Sequence, residues 1–189
     1  DQAQAETQGP LTNPRHRARG VARHDQSQPQ QEIPEKRMHG LSDILTPART
    51  VCHIEAISKK RLFEIIARIV TDDQPEIPYL EALDKLVARE NLGSTGLGNG
   101  IAIPHCRVAN CEAPMGTLLS LDTPLAYDAP DDKPVDLLFV LLVPEETHQR
   151  HLDILAEIAR LFSQADYCER LRAASSDRAL FTAATGDTG

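Results

Sequence analysis

The sequence predicts an α/β sandwich, one mixed β-sheet covered by helices on both faces. Three observations carry this expectation. The run Leu137–Pro144 is apolar without a break, and the strand it implies over Val135–Val143 is apolar on both faces, as a central strand covered by two layers must be. Amphipathic helical patterns stand both before and after the strands in the chain. At 189 residues the chain is long enough to close such a core.

The elements follow in order. Residues 1–37 hold seven Gln, four Pro and no aromatic residue, so they cannot bury enough surface to offset chain entropy. They are expected to be a disordered extension, with the ordered domain over residues 38–189. Val51–Ile57 is rich in β-branched residues and reads as a strand. Ser58 is a good N-cap for a helix running to about Val70, with Leu62, Ile65, Ile66 and Ile69 at helical spacing. Pro78 can open a second helix, with Leu80, Leu83, Leu86 and Val87 facing inward and Asn91 and Gly93 as its stop. A short strand over Ile101–Ile103 and another over Thr117–Leu121 come next. Asp128–Pro134 is a turn before the central strand. A third helix is expected from about His148 to Phe162, with Leu152, Leu155, Ile158, Ala159 and Phe162 on one stripe. Two shorter helices follow over about Asp166–Ala174 and Asp177–Ala184, the last with Ser176 as its N-cap.

Composition excludes several function classes. The net charge is −8 and uneven: +1 over residues 1–37 and −9 over residues 38–189. An acidic domain with few aromatics is a poor nucleic-acid binder. No apolar stretch approaches the roughly 20 residues of a membrane helix, and the chain does not begin with a secretory signal pattern. Cys52, Cys106, Cys111 and Cys168 are scattered with no C-x-x-C pair, which points to free thiols in a reducing cytoplasm and to no metal ribbon.

The chemistry concentrates in one run, Gly93-Ser-Thr-Gly-Leu-Gly-Asn-Gly-Ile-Ala-Ile-Pro-His105. Its glycines allow positive φ and let backbone N–H groups converge, while Ser94 and Thr95 add hydroxyl donors. That is a candidate anion cradle formed by Ser94, Thr95 and Gly96, with a neutral nucleophile, His105, at its edge. A lone histidine after a proline is by default a surface residue; the glycine run beside it raises a functional role. A strand rather than a helix follows the glycines, and no Gly-Lys-Ser/Thr is present, so neither a dinucleotide nor a P-loop cofactor is implied. Arg89, in the last turn of the second helix, can offer a bidentate fork to a phosphoryl group or simply complement the helix C-terminus. His148 and His151 lie at i and i+3 near the start of the third helix, where one of them can donate to a phosphoryl oxygen. Those histidines with His105, Cys106 and Cys111 form the metal-site alternative, a weak signal without an intervening glutamate.

With these residues in place, the chain resembles the enzyme IIA domains of the bacterial phosphotransferase system, most closely the nitrogen-regulatory type within the fructose/mannitol superfamily. The resemblance rests on Arg89-Glu90, the run Gly93–His105, Leu121–Asp128, Pro134–Pro144, His151-Leu152 and Arg170–Asp177, and covers about Leu41 to Thr185. It implies a mixed sheet between helices and an enzyme of the phosphoryl-transferase class without cofactor or metal. By the same resemblance His105 matches the phosphorylated histidine, Arg89 the arginine that neutralises the phosphoryl group and His151 the second pocket histidine, with Ser94 and Thr95 in the loop lining the pocket. The implied partners are an HPr-like phosphocarrier and target proteins regulated according to phosphorylation state, including nitrogen- and potassium-linked ones. Sugar transport of the fructose/mannitol type, and a regulatory binding module without turnover, are the alternative roles. Cys106 departs from the pattern, since many relatives have glycine after the active histidine. Either the position needs positive φ and Cys is strained there, or a thiol stands beside the imidazole.

Overall fold

The structure, a computed structural model, describes residues 40–146 and 149–186. The expected extension over residues 1–37, its boundary at residue 38 and His148 lie outside the described residues. A short 3₁₀ turn, Leu41–Asp43, leads into β1 (Leu45–Ile54). Then follow α1 (Lys59–Asp73), α2 (Tyr79–Asn91), β2 (Gly96–Gly98), β3 (Ile101–Ala102), β4 (His105–Val108), β5 (Met115–Leu125) and β6 (Val135–Pro144). The chain closes with α3 (Gln149–Phe162), α4 (Ala165–Arg172) and α5 (Asp177–Thr185).

The described strands form one mixed sheet in the order β1-β5-β6-β3-β2, with β4 also paired to β6. β1 runs parallel to β5, β5 antiparallel to β6, and both β3 and β4 parallel to β6. Side-chain alternation along β6 divides the core. Leu138, Val140 and Leu142 join Leu62, Phe63, Ile66 and Leu86 of α1 and α2 on one face. Leu137, Phe139, Leu141 and Val143 join Ile154, Ile158, Phe162 and Leu180 on the other. β6 is therefore buried on both faces, and the sandwich expected from its composition is the observed fold.

Local chemistry sets the helix boundaries. Ser58 caps α1 by accepting from the Arg61 N–H at 3.1 Å, and Ser176 caps α5 by accepting from Ala179 at 3.2 Å. Gly186, at φ 71°, ends α5 in the left-handed conformation.

Four expectations need correction. β1 starts at Leu45 and ends at Ile54, rather than spanning Val51–Ile57; Pro47 is tolerated because β1 is an edge strand. Leu80 and Leu152 are 66% and 56% exposed. The buried line of α2 runs through Ala82, Leu86 and Glu90, and that of α3 through His151, Ile154, Ile158 and Phe162. Each outward leucine falls about a third of a turn off the middle of its line at 3.6 residues per turn. The run from Gly96 to Ala102 is a β-hairpin rather than a loop feeding a strand. Asn99 and Gly100, at φ 55° and 80°, are its turn, and Asn-Gly is the pair that tolerates two successive positive φ values. Finally, His105 opens a strand. Pro104 has no N–H, so the pairing to β6 breaks over residues 103–104 and resumes at His105.

One close approach fixes how tightly β5 and β6 pack. A Cβ added at Gly116 would overlap the Phe139 ring, which is fully buried in the α3-side core. Gly116→Ala is expected to destabilise the fold by about 1–3 kcal/mol through overpacking, read as a lower urea midpoint at unchanged m-value.

Candidate functional site

His105 owes its position to strand register. Its Cα partner on β6 is Leu141, whose side chain lies in the α3-side core, so the His105 ring emerges on the α3 side of β4. The ring is half-buried. Nδ1 lies 2.8 Å from the Ile103 carbonyl, which can only accept, so Nδ1 carries the proton. Nε2 is left with its lone pair, and there it accepts the Arg89 Nε–H at 3.1 Å. Two fixed hydrogen bonds thus select one tautomer and present Nε2 as the nucleophilic atom.

Arg89 reaches this atom from α2, on the opposite face of the sheet. Its Nη1 also donates to the Gly93 carbonyl at 3.0 Å, so the guanidinium is held at two points. His151 comes from the first turn of α3. Its ring centroid is 5.5 Å from that of His105, tilted by 56°. His151 is only 8% exposed, yet neither Nδ1 nor Nε2 has a hydrogen-bond partner among the described residues. A buried polar group without a partner is costly and marks a place where an acceptor is expected. Three elements on both faces of the sheet therefore bring Arg89, His105 and His151 together.

Both imidazoles are held below their ordinary pKa of 6.5. Burial is the main cause for each, opposed in His105 by the Ile103 carbonyl and reinforced by the Arg89 charge. For His151 the neighbouring His105, Arg107 and Arg89 add to burial. The pair is neutral at physiological pH, as a nucleophile requires.

The loop residues have internal partners. Ser94 Oγ donates to the Tyr127 carbonyl at 2.9 Å and accepts the Gly96 N–H at 3.1 Å. Thr95 donates its N–H to both carboxylate oxygens of Glu90, at 3.2 and 3.1 Å, and its hydroxyl to Glu90 at 2.5 Å. At the hairpin tip the Asn99 N–H is taken by Asp131 at 2.8 Å, and Arg172 donates to the Asn99 carbonyl at 2.8 Å while pairing with Asp136. The donors that the sequence offers to an anion at Ser94, Thr95, Gly96 and Asn99 are thus engaged within the protein.

Cys106 answers to neither alternative raised by its sequence position. It is not among the residues with positive φ, and alternation along β4 turns its thiol away from His105 into the α1/α2-side core that also holds Cys111. Burial pushes that thiol up to about 12, so it is protonated and inert. Neither Cys106 nor Cys111 can join His105 and His151 about one ion.

Sequence reasoning missed a second layer. Lys59 donates to Glu90 at 3.0 Å, to the Tyr127 carbonyl at 2.8 Å and to Asp128 at 3.2 Å. Its ammonium also lies 4.2 Å from the Tyr127 ring centroid. Arg107, two residues beyond His105 on β4, is an exposed cation whose field reaches His151. Glu90 was legible as part of the Arg89-Glu90 pair and Tyr127 as part of the run Leu121–Asp128; Lys59 carries no local signal, because Glu90 lies 31 residues away in the chain.

Comparison with known proteins places the fold in a family. Residues 43–183 match the family described as "Phosphoenolpyruvate-dependent sugar phosphotransferase system, EIIA 2". A "Nitrogen regulatory protein" of Pseudomonas aeruginosa is 50% identical over 141 residues, covering 75% of this chain and 92% of that protein. Its Escherichia coli K12 counterpart is 40% identical over 150 residues, or 79% and 91% of the two chains. The crystal structure of nitrogen regulatory protein IIA-Ntr from Neisseria meningitidis superposes with a TM-score of 0.71 at 39% identity, over 77% of this chain and 99% of that one. The E. coli mannitol IIA structure shares the fold at a TM-score of 0.62 and 14% identity. Fold and relatives converge, and the chain belongs to the EIIA 2 family of the phosphotransferase system, on its nitrogen-regulatory side.

Proposed function

We propose that this protein is a phosphohistidine carrier and regulator that accepts a phosphoryl group on His105 Nε2 from a phosphorylated HPr-like carrier. The observation that carries the reading is the pair of unpartnered ring nitrogens of buried His151, whose ring lies 5.5 Å from that of His105, where an arginine already holds Nε2. Incoming phosphorus takes the lone pair of Nε2 and breaks its bond to the carrier, whose imidazole regains the electron pair. The proton stays on Nδ1, donated to the Ile103 carbonyl. Arg89 moves from the ring nitrogen to a phosphoryl oxygen, and His151 donates to another. Phosphoryl transfer asks for in-line positioning and charge stabilisation rather than further covalent chemistry, and these groups supply both.

Three exposed leucines support docking of another protein at this place. Leu92 lies three residues after Arg89, Leu97 and Leu152 directly follow Gly96 and His151, and Leu92 is 85% exposed. Phosphorylation of His105 adds nearly two negative charges at the site, so partners that accept one state are rejected by the other. Regulation of target proteins according to phosphorylation state follows from this contrast. Ser94, Thr95 and Gly96 act in this reading by shaping the loop that carries the Gly93 carbonyl. The reaction takes place in the cytoplasm, and no helix among the described residues is long and apolar enough to cross a membrane.

His105→Ala is expected to abolish phosphate incorporation from the phosphorylated carrier, and wild-type label must map by NMR to Nε2. Label retained in the variant, or found on Nδ1, would exclude the assignment. Arg89→Ala is expected to slow transfer by about 10²–10³-fold while leaving the fold intact, with Arg89→Lys intermediate. The lowered pKa values also predict the pH dependence of stability. Below about pH 6.5 the unfolded chain takes up protons on these two histidines that the folded protein resists, so the fold loses stability as pH falls through the lowered values. Urea midpoints at about pH 7.5 and 5 should drop less in His151→Phe than in wild type.

A further inference from the structure

Behind the acceptor site stands a carboxylate that the reading above leaves without a role. Glu90 follows Arg89 in the last turn of α2, so the two side chains leave the helix about 100° apart. Arg89 turns out over the sheet edge and Glu90 turns in, to 8% exposure. A carboxylate this buried is tolerated only when it is fully bonded. Glu90 takes the Thr95 N–H and hydroxyl and the Lys59 ammonium, with the Tyr127 hydroxyl at 3.5 Å.

We propose that Glu90 is a positioning residue for phosphoryl transfer: by gripping Thr95 it sets the Gly93 carbonyl that holds the Arg89 guanidinium on His105 Nε2. This rests on the reading of His105 as the acceptor. The segment from 93 to 95 is tied to Glu90 at both ends, while the Ser94 hydroxyl donates to the Tyr127 carbonyl and the Thr95 carbonyl accepts the Ile103 N–H. The Gly93 N–H donates to the Glu90 carbonyl at 3.1 Å, and Thr95 is held by the carboxylate. Gly93 itself is at φ 155°, a conformation that lets the short segment turn between them. With both ends fixed, the Gly93 carbonyl has one direction, and it receives Arg89 Nη1. The guanidinium is therefore ordered before any phosphate arrives, and its rotamer entropy is not lost in the transfer step. The Glu90 charge also acts on His105 in the sense opposite to Arg89, favouring the protonated ring. No other described group both touches the loop and follows Arg89 on its helix.

Glu90→Gln keeps the shape and removes the charge. It is expected to lower kcat for phosphate uptake from a phosphorylated HPr-like carrier about tenfold, with KM for the carrier unchanged. In the unphosphorylated protein, the Arg89 Nε–H resonance should exchange with solvent about tenfold faster, a readout that general stability does not move. Thr95→Val should reproduce both effects, and Thr95→Ser, which keeps the hydroxyl, should restore both. A folded Glu90→Gln with wild-type kcat and wild-type Arg89 exchange overturns the proposal. If Glu90→Gln does not fold, the two Thr95 variants decide the matter: equal behaviour of Val and Ser overturns it. A wild-type protein that takes no phosphate would sink the acceptor reading instead, and Arg89 exchange in the same variants would still judge Glu90.

Discussion

The parallel pairing of His105 with Leu141 is the constraint from which the site follows. It does two things that no loop position could. It commits the His105 ring to the α3 face, where the first turn of α3 brings His151 within 5.5 Å. It also places the residue on β4, which pairs with β6 alone, so that Arg89 can come round from α2 on the opposite face. A register slip of one residue would exchange His105 with Cys106 and bury the imidazole among Leu86, Met115 and Leu142. The apolar alternation of β6 opposes that slip, because the same shift would misplace the packing of both cores. Core packing thus specifies the geometry of the chemistry.

Electrostatics at the site is a balance of close, opposed groups. Burial and Arg89 push His105 towards the neutral ring, while the Ile103 carbonyl and Glu90 pull the other way. An imidazole that is neutral yet hydrogen-bonded at both nitrogens is a nucleophile with its direction set in advance. The same burial leaves His151 neutral and without a partner. A neutral imidazole has one N–H to give, which suits an anion that arrives and departs. A charged ring there would be repelled by Arg107 and Arg89.

Most of the fold was legible in periodicity, and the exceptions have specific causes. β6 announced itself because burial on both faces leaves an unbroken apolar run. The α1 and α5 boundaries were legible because Ser58 and Ser176 are local caps. β4 was not, since four residues after a proline carry no period, and its existence depends on β6, more than thirty residues away. Leu80 and Leu152 misled because an amphipathic count treats every leucine as inward, whereas small or polar residues, Ala82, Glu90 and His151, occupy the buried lines. At the site, His105, Arg89 and His151 were each visible as residue types, but their convergence from three elements was carried by resemblance and not by spacing. Lys59, and the part Tyr127 plays beside it, were invisible because a buried polar network is a tertiary object.

The glycine run shows the same limit from another side. Read locally, it is a cradle of backbone donors; in the fold, Asn99-Gly100 makes a hairpin turn and the neighbouring donors are held by Glu90, Ser94 and Asp131. On the proposed reading the run is a frame for Arg89 rather than a nest for an anion. This difference matters for a carrier. A nest of converging amides grips phosphate tightly because its dipoles are fixed and desolvated. A carrier must release the group to the next acceptor, so its stabilisers have to let go at little cost. On the proposed reading, Arg89 can return to His105 Nε2 and the Gly93 carbonyl when the phosphoryl group leaves. The hydrogen bonds of the empty site then offset those lost with the phosphate, which keeps uptake and release close to balance and the transfer reversible.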